Sequence, residues 1–155
     1  MATKLREVPL PAYGSDAAGW AEAQAAALRE RRIDLLDWDN LAEEIADVSG
    51  RERDKLESAL ATLLMHLLKW DHQPSRRGAS WAITVAEQRR RIARGLTENS
   101  SLRPRVPDMV DHSYASGRNA AAIELQVSPK LFPSICPYSF DEIMTRPIEW
   151  DGELA

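Results

Sequence analysis

Between Arg51 and Trp70 the chain reads RERDKLESALATLLMHLLKW, and this stretch limits what the rest can become. Leu56, Leu60, Leu63, Leu64, Leu67, Leu68 and Trp70, with Ala59 and Ala61 among them, recur at helical spacing. On a wheel of about 100° per residue they cover more than a third of the circumference, an arc wide for a surface helix. The spacing predicts a central Leu-rich helix over about 51–70, with companions on at least two sides. Pro74 ends it, because proline lacks the N–H donor and disfavours the helical region for the residue before it.

The flanking segments supply the companions. A first helix is expected from Ala17 to Arg31, capped by Ser15 or Asp16, with Trp20, Gln24 and Leu28 on one face. After the connection RRIDLLDWDN, with Asp37, Asp39 or Asn40 as the cap, Leu41, Ile45 and Val48 continue an apolar face. Gly50 either divides this segment from the central helix or sits within one long helix. SRRGAS reads as a turn, with Ser80 capping a helix from Trp81 to Leu96 whose face is Trp81, Val85, Gln88, Ile92, Gly95 and Leu96. Pro107 fits the first turn of a helix reaching about Gln126, and Ser139 with Glu142 forms a capping box for Phe140–Met144. No strand pattern is present. The expected fold is all-α, a single-domain bundle of about five to six helices over residues 1–155, with its core at about 13–144 and short flexible ends.

One cysteine, Cys136, excludes an intrachain disulfide and points to a reducing, cytoplasmic setting. The N-terminal MATKLREVPLPAYGSD lacks a signal-peptide core, and no apolar run of about 18 residues exists to span a membrane. The formal charge of -4 is uneven: residues 1–68 carry -5, 69–105 carry +6 and 106–155 carry -5. Either these blocks neutralise one another within the fold or the middle one forms a basic face for an anionic partner.

Chemistry-bearing residues crowd into LLMHLLKWDHQPSRRGASW, residues 63–81. His66 falls at the edge of the leucine stripe, where a ring usually buries itself and bonds a nearby carboxylate or carbonyl. His66 and His72 are six apart with a helix end between them, unlike a metal pair, so neither metal nor cofactor is expected. Trp70 and Trp81 flank the turn as an aromatic packing pair, each indole N–H seeking an acceptor. Glu43, Glu44, His66, Asp71, His72, Arg76 and Arg77 form the polar cluster to test. Gln24 and Gln88 lie in line with apolar faces and must find polar partners, with the acidic residues of DNLAEEI as candidates. Cys136, between Ile135 and Pro137, reads as an inert buried thiol. Phosphate loops, Cys-x-x-Cys, His-Glu-x-x-His and nucleophile elbows are absent.

Three readings of function follow. The first is a non-catalytic module that binds another protein or itself. The second is a nucleic-acid-associated factor using Arg76, Arg77, Arg89, Arg90, Arg91, Arg94 and Arg103 of the basic segment. The third is a metal-dependent or acid–base hydrolase on Glu43, Glu44, His66, Asp71 and His72. Without recognisable catalytic geometry, the balance is against an enzyme.

LDWDNLAEEI, LLMHLLKWDHQP, SWAITVAEQRRRI and FPSICPYSFDEI together resemble the bacterial family called domain of unknown function 29, over about residues 13 to 144. The resemblance implies a small, wholly helical bacterial protein and carries no activity, substrate or catalytic residue. The family's Ser-x-Gly-Arg junction is recognisable in DVSGRERDKL, while TENSSLRP lacks the proline often found in that loop.

Overall fold

The computed structural model describes residues 10–150, so the expectation of flexible ends falls on residues 1–9 and 151–155, outside that range. Five α-helices follow one another: α1 (Ala17–Arg29), α2 (Trp38–His72), α3 (Ala79–Glu98), α4 (Val106–Leu125) and α5 (Phe140–Thr145). Short 3-10 turns join them, and no strand occurs among the described residues. The fold is all-α. Its contacts cluster into two compact units, Met1–Ser49 and Gly50–Ala155.

In the first unit, the Asp16 carboxylate caps α1 by accepting the Gly19 N–H at 2.9 Å. Trp20, Gln24 and Ala27 are buried, whereas Leu28, expected on this face, is 50% exposed. Helix geometry explains the correction: an i+7 residue returns to within about 20° of Trp20, while an i+8 residue strays by about 80°. Gln24 then fixes the connection to α2, donating from Nε2 to the Leu35 carbonyl at 3.2 Å and accepting the Asp37 N–H at 2.8 Å. Its partners are backbone groups, not the acidic side chains expected. Asp37 accepts the Trp20 indole N–H at 3.1 Å and the Asn40 amide at 2.7 Å, which secures the start of α2.

In the second unit, α2 runs through Gly50 without a break, where an added Cβ would meet nothing within 4 Å. Leu60, Leu63, Leu64, Leu67 and Leu68 are sealed from solvent, as the wide arc requires. Core residues of α3 (Val85, Ile92, Leu96) and α4 (Met109, Val110, Tyr114, Ala121) join them in one cluster with Phe132 and Ile143. Two glycines set how near the companions lie. A Cβ on Gly95 of α3 would stand 2.6 Å from Leu56 Cδ2, and one on Gly117 of α4 would stand 2.7 Å from the Ala61 carbonyl oxygen. The start of α3 departs from expectation: its N-cap is the extended Gly78 and the helix begins at Ala79, so Ser80 lies inside the first turn. Pro107 does occupy the first turn of α4, and Ser139 with Glu142 does close a capping box on α5.

Candidate functional site

The last turns of α2 place their polar side chains by helix geometry, and each meets a different partner. His66 is buried, and its Nδ1–H donates to the Thr62 carbonyl one turn back at 2.9 Å. Burial holds its imidazole below the ordinary histidine range, and the Lys69 ammonium adds to this against the pull of the Thr62 carbonyl. The ring is therefore neutral at pH 7. Lys69, a cation within the leucine run, is only 4% exposed. It ion-pairs with Glu124 of α4, and its Nζ lies 4.5 Å above the Trp81 ring.

Asp71 anchors the C-terminal segment. It accepts the Tyr138 hydroxyl at 2.7 Å and binds both terminal nitrogens of Arg146. Burial alone would push this carboxyl up, but the Arg146 guanidinium and the Tyr138 hydroxyl hold it below the usual carboxylate range. The same burial and the facing Asp71 carboxylate push the Tyr138 phenol far up, so it stays a donor. His72 donates to the Leu68 carbonyl at 2.9 Å and sets its ring edge-on to Phe132 with centroids 4.8 Å apart.

Past the proline, Arg77 folds back so that Nε donates to the Trp70 carbonyl at 2.8 Å and the guanidinium covers the Trp70 ring at 5.2 Å. Trp70 is buried and Trp81 half-buried, and each ring carries a cation on its face. Arg76 is exposed. Arg89 leaves the basic face proposed from sequence: its Nε donates to the Ile143 carbonyl at 2.8 Å. Arg91 pairs with Glu87 at 2.7 Å, while Arg90, Arg94 and Arg103 are exposed. In the other unit, Glu44 accepts the Tyr13 hydroxyl at 2.7 Å and Glu43 is exposed. Among the described residues no group of three or more His, Cys, Asp or Glu is placed to hold a metal ion. Cys136 is half-buried, its thiol raised by burial and donating to the Tyr138 carbonyl at 3.5 Å.

Lys69, Asp71, Arg77 and Arg89 tie helix to helix or helix to loop, while His66, His72 and Arg91 bond within their own helices. Sequence reasoning missed half of the ties: Lys69, Glu124, Tyr138, Arg146 and Tyr13 were not singled out. Lys69 alone gave a signal, a charge inside an apolar run.

What the ties leave over is an apolar surface on the first turns of α2. Ile45 is 69% exposed, Trp38 60% and Val48 54%, with Leu41 half-buried between them. Leu41, Ile45 and Val48 share an apolar face, as their spacing predicts, but that face stands largely in solvent. The four residues stand at 38, 41, 45 and 48, within an arc of about 80° on the helix. Around them, residues 37–48 carry five carboxylates and no basic side chain.

A family model described as "Domain of unknown function DUF29" matches residues 12–148. No curated protein and no solved structure matches the chain. No helix among the described residues is long and apolar enough to cross a membrane.

Proposed function

The chain belongs to this family of unknown function, and on that premise we propose that it is a non-catalytic protein-binding module whose contact surface is the Trp38–Leu41–Ile45–Val48 seam. The observation that carries this reading is an apolar stripe standing in solvent on a helix whose other half buries its leucines. Spacings of three, four and three are those by which one helix packs along another, with alternate residues seated as knobs in facing holes. The acidic flank gives the partner its chemistry: an apolar helix or groove rimmed by Lys and Arg. A second copy pairing seam to seam would bring like charges together, which favours a different protein. A cytosolic setting belongs to the same reading and is supported by the single, half-buried thiol.

A photo-crosslinking side chain at Ile45, compared with one at the somewhat more exposed Ile123 of α4, tests it in producing cells. The expected outcome is one recurrent adduct at 45, absent at 123 and abolished by Val48→Asp. Adducts equally diverse at both positions would overturn the assignment.

A further inference from the structure

We propose that the groove between α2 and α3 is a second binding site, taking an extended peptide segment with side chains of both charges, held by the Gln88 carboxamide. The groove measures about 760 Å³, and its walls include Ser58, Ala59 and Thr62 of α2 facing Gln88, Arg91 and Arg94 of α3. That volume falls within the range of roughly 300–1,000 Å³ in which small ligands are enclosed. It exists because α2 presents short side chains there, while Gly95 and Leu56 close the two helices together nearby.

Gln88 is the pointer to an occupant. As a residue it is only 8% exposed, and no hydrogen bond among the described residues uses its carboxamide. Gln24, the other buried glutamine, is 3% exposed with both amide atoms bonded. The Gln88 amide atoms still touch solvent in the groove, unlike the enclosed Arg89 Nη2 and Arg118 Nε, so they are open to a ligand. The facing Thr62 hydroxyl donates to the Ser58 carbonyl at 3.1 Å and makes no bond to Gln88. Gln88 lines the groove, so its acceptor and two donors are offered there.

An extended peptide meets this demand directly, because one residue's N–H and C=O point to the same edge of the chain and match a carboxamide's acceptor and donor. The rim narrows the class further. Arg94 stands 3.8 Å from Glu98, and Asp54 stands 3.9 Å from Arg53, so a guanidinium and a carboxylate at the groove are only loosely engaged. The lining sets Arg51, Lys55, Arg91 and Arg94 beside Glu52, Asp54 and Glu98, so a polyanion would meet both signs of charge. A peptide carrying both charges finds a partner for each.

This inference rests on reading the chain as a protein-binding module but uses other residues, so the two fail separately. The test is selection of a phage-displayed library of random 12-residue peptides on the full chain, followed by affinity measurement on synthetic peptides. Enriched peptides should bind Gln88→Leu and the groove-blocking Ser58→Trp at least tenfold more weakly, and Ile45→Asp as tightly as wild type. Gln88→Leu should melt no lower than wild type, since it breaks no internal bond. A melting temperature lowered by Gln88→Leu would give the amide a structural partner and overturn the proposal. So would the absence of any enriched family, or peptides that ignore both groove substitutions. Labelled single-stranded oligonucleotide bound through Arg91 and Arg94, with Gln88→Leu unaffected, would assign the groove to a polyanion instead.

Discussion

At the scale of single residues, His66, Lys69, Asp71 and Arg77 are engaged by partners within the fold, and their loss should have graded consequences. Trp70→Ala empties a fully packed site beneath Arg77 and should cost about 3–5 kcal/mol, read by chemical denaturation. His66→Ala should cost less, since it removes one ring and one bond to a carbonyl. Asp71→Asn strips Arg146 of its charged partner in a half-buried place and should cost about 2 kcal/mol. The pH dependence has a definite sign. Asp71 sits below its usual range when folded, so its contribution is complete above the unfolded value of about 3.9 and is lost as pH falls through the folded one. His66 is also depressed, so folding favours its neutral form and stability declines as pH drops below about 6.5. Melting temperatures from pH 7 to 3 should therefore fall in two stages, the first absent in His66→Ala and the second flattened in Asp71→Asn. The sequence made the ring of His66 legible, because a histidine one turn above a carbonyl at a stripe's edge has an acceptor at hand. It could not reveal Asp71's partners, which lie 67 and 75 residues further on.

At the scale of elements, glycine positions carry opposite expectations. Gly50 lies in mid-helix with open space around it, so Gly50→Ala should stabilise by about 0.5–1 kcal/mol through backbone entropy alone. Gly117→Ala should destabilise by about 1–3 kcal/mol, because its methyl would meet the Ala61 carbonyl, which the α2 backbone holds in place. Gly95→Ala meets only the tip of Leu56, so its cost should be smaller; denaturation midpoints of the three variants rank them. Helix existence was readable from periodicity and from Pro74, Pro107 and the Ser139–Glu142 box, all local signals. The start of α3 was not, since an extended glycine did the capping without a side chain. Nor was the fate of the Leu41–Val48 face: periodicity says that residues share a side of a helix, not whether anything covers that side.

For the molecule as a whole, the leucine-rich half of α2 is consumed by its own core, while the acidic half keeps a stripe of apolar side chains in water. A monomer holds such a stripe at a cost in solubility, and on the proposed function a partner would cover it. The fold class followed from one wide arc and the absence of any alternating pattern. The candidate site did not, because a binding surface differs from a core face only in what lies across from it. The measurement that bears most directly on this is the melting temperature of the purified Ile45→Asp, Val48→Asp double variant. Two charges placed on a solvated seam should shift stability by no more than about 0.5 kcal/mol each, leaving the melting curve nearly superposed on that of the native chain. A large drop or outright unfolding would show the seam to be buried packing, and would contradict its assignment as a contact surface.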